Sequence, residues 1–313
     1  MTLRAATLAV VALVVVLCGA AGACAPAQAS SWDAARVSLR EQMVSVLSLP
    51  TVYRSSDPQH RWKSFDQLAA DLESVVQAGY TSVVLFDLIS IRDYPDLRYV
   101  PLVRGYAERG IEISVYAQYV QGDQAAVDLV QALGASTVIV YDRELLTTFR
   151  GAGIRARWWS AVGYPLRHPD VPSYLGWPDL RSEQIRAELA SWAATVPAEV
   201  DGGLSLDYIR WNEVGAGRDA AQVTDLAQRI RANWNALGRG ELSAAVYPYL
   251  GESPADGGAL AVGQRWNEWL AAGLIDYAYP MAYESDALPH QIEEWATYDR
   301  SRIIPCLSLE DFH

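Results

Sequence analysis

A (β/α)8 barrel is the fold class this sequence predicts, on three observations. Eight short runs rich in β-branched and aromatic residues are spread between Ser82 and Ser308, each with the length and composition of a strand. Stretches with apolar residues at helical spacing lie between strand runs, which implies crossover connections and a parallel sheet. About 280 residues remain once an N-terminal export segment is set aside, close to the ~250 typical of a single barrel. The expected organisation is a signal peptide over residues 1–29 and one domain over 30–313.

The export segment opens on Met-Thr-Leu-Arg, runs apolar from Leu8 to Leu17 and leaves through small residues ending Ala27-Gln28-Ala29. A charged start, apolar middle and small-residue exit is the pattern of a secretory signal. That apolar run is shorter than the ~20 residues of a membrane span, so the expectation is a secreted or extracytoplasmic protein without a membrane span. Cys24 follows Ala21-Gly22-Ala23, and a lipid anchor on it, at the cell surface, is the second reading. Cys18 and Cys24 both fall in this segment, leaving Cys306 as the one cysteine of the body, expected to be a small buried hydrophobe. A fold with one thiol is held by its core.

The body begins with a helix marked by Phe65, Leu68, Leu72 and Val75, with Ser64 and Gln67 as a capping box and Gly79 as its stop. Strands are expected at Ser82 to Asp87, Ile113 to Tyr116, Ser136 to Tyr141 and Ala156 to Ala161. Ile185, Leu189, Trp192 and Val196 form the next helical stripe, before a strand from Gly203 to Asp207. Val223, Leu226, Ile230 and Trp234 form another helix, followed by strands at Leu242 to Tyr247, Ile275 to Tyr279 and Ile303 to Ser308. Val44 to Val52 is an alternative strand that would shift the count by one. No closing helix follows the last strand before His313, which leaves either an incomplete helix layer or a fragment of a longer reading frame.

Reactive groups of such barrels gather where strands end and the following loops begin. Asp87, Gln118, Asp142, Asp207, Tyr247 and Glu284 meet that test. Asp207 stands out. Alternation along Gly203-Leu-Ser-Leu-Asp207 turns Leu204 and Leu206 to the helices and Ser205 and Asp207 to the lumen. A carboxylate so placed is costly unless it is used or paired. Arg210 follows three residues on and can hold Asp207 ionised or clasp substrate hydroxyls. Asp201 is nearby in sequence, yet six strand residues put it ~20 Å away, at the opposite rim. Cleavage of glycosidic bonds uses two carboxyls, and Glu284 is the favoured partner, with Glu213, Asp142 and Glu310 as alternatives. Trp211 is the stacking candidate, and Asp87, Asp142, Tyr247 and Tyr283 complete the expected substrate-binding set. Trp158 and Trp159 are adjacent in a strand, so at most one lines the lumen.

Asp207-Tyr-Ile-Arg210-Trp211, with Ile275-Asp-Tyr277 and Pro280-Met-Ala-Tyr283, resembles the glycosyl hydrolase-like 10 family. The resemblance covers Trp177 to Leu309 and implies a secreted (β/α)8 protein that cleaves polysaccharide, with Asp207 and Arg210 in its site. Asp201-Gly202-Gly203 carries one more Gly than the family pattern, and Met281 stands where a polar residue is common.

Other chemistries find little support in the residues. The net charge of −12 argues against nucleic-acid partners. His60, His168, His290 and His313 are isolated, without metal-ligand spacing, and no nucleophile elbow, dinucleotide fingerprint or P-loop is found. No metal and no cofactor are therefore expected. The sequence holds 11 Trp and 17 Tyr against 4 Phe, a bias toward rings with a polar handle that suits stacking on sugars. The expectation is a monomeric glycoside hydrolase acting on an oligo- or polysaccharide. Its rival is a non-catalytic carbohydrate-binding or cell-envelope protein on the same scaffold.

Overall fold

The computed structural model describes residues 60–86, 99–117, 124–164, 173–174, 177–211, 219–251, 258–308 and 310–312. The expected signal peptide, the Val44 to Val52 alternative, Asp87, Gln118 and Glu213 lie outside them, as do Cys18 and Cys24. Tyr53–His313 form one compact unit. Its first elements are β1 (His60–Trp62), α1 (Phe65–Gln77) and β2 (Ser82–Leu85). Then come α2 (Tyr99–Glu108), β3 (Glu112–Tyr116), α3 (Gln124–Ala132), β4 (Thr137–Val140), α4 (Arg143–Gly151) and β5 (Arg155–Ala161). A small hairpin of β6 (Ser173–Tyr174) and β7 (Trp177–Pro178) precedes α5 (Glu183–Ala193) and β8 (Leu204–Asp207). The remainder is α6 (Ala220–Ala236), β9 (Leu242–Val246), α7 (Trp266–Ala271), β10 (Tyr277–Ala282), α8 (Leu288–Trp295), β11 (Cys306–Leu307) and β12 (Glu310–Phe312).

Eight parallel strands close into a barrel in the order β10-β11-β2-β3-β4-β5-β8-β9. Each falls within or overlaps a run expected from the sequence. The largest departure is β10, which continues through Pro280 to Ala282, three residues past the expected end. Its first four residues pair with β9, up to Pro280 opposite Val246, and its last two pair with β11. Pro280, which has no N–H to donate, sits where one ladder stops and the other begins.

Helices alternate with the strands because their stripes match the outer face of the barrel. Ser64 and Gln67 make the capping box of α1, and Leu68, Leu72 and Val75 are buried. Ile185 and Leu189 of α5 and Val223, Leu226, Ile230 and Trp234 of α6 are buried as well. Among the described residues no helix follows β11. The seam between β11 and β2 is covered instead by α1, which precedes the first barrel strand. It packs on α8, and on its other side Tyr106 of α2 and Arg109 each reach Glu73 at 3.0 Å. A closing helix is thus supplied from the N-terminal side, while β1 and β12 pair antiparallel.

The paired glycines before β8 have a steric reason. Gly202 lies against the backbone of Ala156, and Gly203, at φ 92°, against that of Glu241, so a Cβ at either would overlap main-chain atoms. Gly203→Ala is expected to cost at least about 2 kcal/mol, from the left-handed backbone and the overlap together. The urea midpoint reads it. Asp201 beside them is at the lower rim, as strand length requires: it accepts the Ala156 N–H at 3.0 Å and pairs with Arg150. Asp276 does the same work for the neighbouring strand, accepting the Leu242 N–H at 2.7 Å and pairing with Arg231. No described helix is long and apolar enough to cross a membrane.

Candidate functional site

The lumen is filled by alternating residues of the strands and is more polar than the outer core. Low in the barrel, Arg157 donates to Glu241 at 2.5 Å and to Ser243 at 2.9 Å, and its guanidinium lies 5.8 Å from the Tyr279 ring. Higher up, the Tyr116 hydroxyl meets the Ser205 hydroxyl at 3.3 Å. Burial and then the charge of Asp207 hold the Tyr116 phenol well above its ordinary value, so it stays a neutral phenol. Cys306 is a buried thiol.

Asp207 closes the column at the C-terminal mouth, 8 % exposed. Alternation does for β8 what the sequence predicts: Leu204 and Leu206 join the outer core, and Asp207 turns inward. Its Oδ2 accepts the indole N–H of Trp159 at 3.1 Å, and its Oδ1 accepts the backbone N–H of Tyr208 at 2.7 Å. Burial raises its pKa above the ordinary 3.8, and the opposing pulls of Arg210, the Tyr208 N–H and the Trp159 N–H do not cancel it. The result is a carboxyl that keeps its proton to higher pH than a surface aspartate.

Rings pack around Trp159, whose indole donates to this carboxyl. Of the adjacent tryptophans of β5, Trp159 lines the lumen, edge-on to Tyr116 at 6.4 Å and to Tyr141 at 6.0 Å, while Trp158 joins the outer core. Phe86, just past β2, is edge-on to Tyr116 at 5.4 Å and stacked with Tyr283 at 5.3 Å.

After Asp207 the chain turns sharply. Tyr208, at φ 52°, is the one non-glycine with positive φ among the described residues. That turn sends Ile209 and Trp211 into the core and leaves Tyr208 and Arg210 half-buried at the mouth. The Arg210 guanidinium lies 5.0 Å from the Tyr208 ring and 4.6 Å from that of Tyr247. Tyr208 also packs on Tyr164 at 4.8 Å and Trp177 at 5.9 Å.

Asp207, Arg210, Tyr247 and Tyr283 are therefore all at the mouth, as the sequence suggests. Trp211 is a correction. It is 3 % exposed, its indole N–H donates to Asp219 O, and it packs beneath the turn, so it presents no face for stacking. Asp142 serves the helix that follows it, where its Oδ1 caps α4 by accepting the Leu145 N–H at 2.8 Å. Glu284 is exposed on the loop after β10. Asp87, likewise expected to bind substrate, is outside the described residues, as is the side chain of Glu310.

Sequence reasoning missed Gln264, Tyr208, Tyr164, Trp177 and Phe86. Gln264 is fully buried and joins three segments under the mouth, accepting the Tyr247 N–H at 2.9 Å and donating to Ile209 O and Ala245 O. Nothing in Val262-Gly-Gln264 signals that role. For Tyr208 the available signal was its place next to Asp207. Among the described residues no group of His, Cys, Asp or Glu could hold a metal ion.

No family model matches the sequence, and no curated protein matches it. Among solved structures, the chain is similar to dihydropteroate synthase from Thermus thermophilus in complex with 4-aminobenzoate. The two share 15 % identity over 77 % of this chain and 82 % of that one, with a TM-score of 0.38. Dihydropteroate synthase from Xanthomonas albilineans gives 13 % identity over 79 % and 82 %, with a TM-score of 0.37. Lysine decarboxylase from Selenomonas ruminantium gives 10 % identity over 82 % of this chain and 65 % of that one, with a TM-score of 0.40.

Proposed function

We propose that the chain is an exported glycoside hydrolase of the glycosyl hydrolase-like 10 type, with Asp207 as its proton donor. One observation carries the reading: a buried carboxyl with a raised pKa stands at the barrel mouth, held by the Trp159 indole and the Tyr208 N–H. A carboxylic acid kept protonated by burial can give its proton to the departing glycosidic oxygen as the C1–O bond breaks. Water then supplies the new C1–O bond, and its proton goes to a base. Half-buried rings shield the sugar from solvent, and Arg210, steadied between Tyr208 and Tyr247, offers N–H donors to hydroxyls.

Glu284 is the proposed second carboxylate. Its neighbour Ser285 is tied by a hydrogen bond of 2.9 Å to Asp71 of α1, which fixes the root of that loop at the rim. Glu284→Gln is expected to lower hydrolysis by about 10²-fold or more, the range for loss of an acid or base. An unchanged rate removes Glu284 from the pair.

A second reading, carbohydrate binding without cleavage, is favoured by the surroundings of Asp207. Among the described residues, the groups acting on it are Arg210, Tyr208 and Trp159, with no second acid. Reducing-end release from a panel of bacterial and plant polysaccharides separates the two. The hydrolase reading requires release by the natural protein and its loss in Asp207→Asn. Binding without release by the natural protein decides for the other.

A further inference from the structure

We propose that Tyr208 is the specificity-determining residue of this site, and that it selects glycans built of β-1,4-linked pyranoses with equatorial substituents. This rests on the carbohydrate reading above and adds to it a substrate class. Tyr208 is held in a conformation that a bulky side chain rarely adopts, and the surroundings impose it. Its N–H donates to Asp207 Oδ1, and its carbonyl accepts the Gly163 N–H at 3.1 Å. Only a glycine at 163 admits that carbonyl, because a Cβ there would overlap it. On the other side of the bend, the Asp207 carbonyl accepts the Val162 N–H at 2.8 Å. Strain maintained this way beside a buried acid is a mark of function rather than of folding.

What the bend achieves is to present a ring next to Asp207. Tyr164 and Trp177 flank it at tilts of 45° and 43°, and all three side chains are half-buried. A second aromatic group stands across the mouth: β2, which ends at Leu85 just before Phe86, is four strands from β8 in the eight-strand ring, and Phe86 carries Tyr283 against it. Asp207 thus shares the mouth with two aromatic groups, one on the turn after its own strand and one after the strand opposite. Aromatic faces pack on the pyranose faces where axial C–H groups converge, and an axial hydroxyl interrupts that face. A β-1,4 linkage keeps successive rings extended and presents such faces on both sides of the bond between them. Equatorially substituted, β-1,4-linked chains match this arrangement.

The test uses the full chain with Asp207→Asn, so that bound sugar is not consumed, titrated with cellohexaose, chitohexaose and xylohexaose. Tryptophan fluorescence reports binding, since Trp159 and Trp177 flank the site. At least one hexaose is expected to bind. Adding Tyr208→Asn removes the ring but suits the left-handed backbone. It is expected to weaken binding about tenfold, the size of one aromatic contact, with an unchanged melting temperature. Tyr208→Phe, which keeps the ring, is expected to bind like the parent. Equal affinity with and without the Tyr208 ring overturns the inference and leaves the hydrolase reading standing. Failure of all three hexaoses to bind overturns the substrate class, whereas the hydrolase reading is decided separately by the polysaccharide assay on the natural protein.

Discussion

Asp207→Asn is expected to reduce glycoside hydrolysis by about 10²- to 10⁴-fold, the contribution of a positioned proton donor, while glycan binding and the folded state persist. The amide has the shape of the carboxyl and can still accept the Tyr208 N–H, but it has no proton to give. Hydrolysis at the natural rate in this variant would sink the assignment. The pH profile offers an independent check. Burial favours the neutral form of Asp207, and its partners do not reverse that, so the active, protonated form persists above the ordinary value of 3.8. The rate is expected to fall as pH rises through the shifted value. Stability follows the same sign. The folded chain holds this proton more tightly than the unfolded one, so the contribution of Asp207 is greatest below its ordinary value. It is lost as pH climbs from there through the folded-state value.

The largest loss of stability is expected from Asp71→Ala. Lys63 is fully buried just before α1, and its ammonium meets Asp71 Oδ2 at 2.6 Å. Ser285 donates to the same oxygen, and the Tyr99 hydroxyl donates to the Lys63 carbonyl. This cluster joins α1, the start of α2 and the loop after β10, where the seam of the barrel is closed from the N-terminal side. Removing Asp71 strands a buried ammonium, at a cost of about 3–5 kcal/mol. Replacing both charges, as Lys63→Met with Asp71→Leu, is expected to recover most of that loss, because two desolvation costs disappear together with one attraction. Urea denaturation of the single and double variants measures both. A single variant within about 1 kcal/mol of the natural protein would place the pair in water, against its burial.

The buried ion pair and the mouth were not equally legible beforehand. The inward turn of Asp207 could be read from five residues because strand alternation is strictly local, and the same rule separated Trp158 from Trp159. Asp201 could be removed from the site by strand length alone. Trp211 could not be placed that way: it was the stacking candidate only because it follows Arg210, and Tyr208, at φ 52°, breaks the backbone regularity immediately after the strand. Asp142 was ambiguous because an acid at the end of a strand is also an acid at the start of a helix, and here its carboxylate caps α4.

By itself, then, the sequence determined the eight strand runs of the barrel, three of its helices, and the inward carboxylate at the end of β8. Those depend on period and spacing, which are properties of neighbouring residues. Only the tertiary structure decided the closure of the seam by α1, the burial of Lys63 with Asp71, and the rings that enclose Asp207. Each joins residues far apart in the chain, as with Ser285 and Asp71, and the physical reason is the same in each case: the partner is chosen by barrel closure and by exclusion of water, and neither leaves a periodic trace in the sequence.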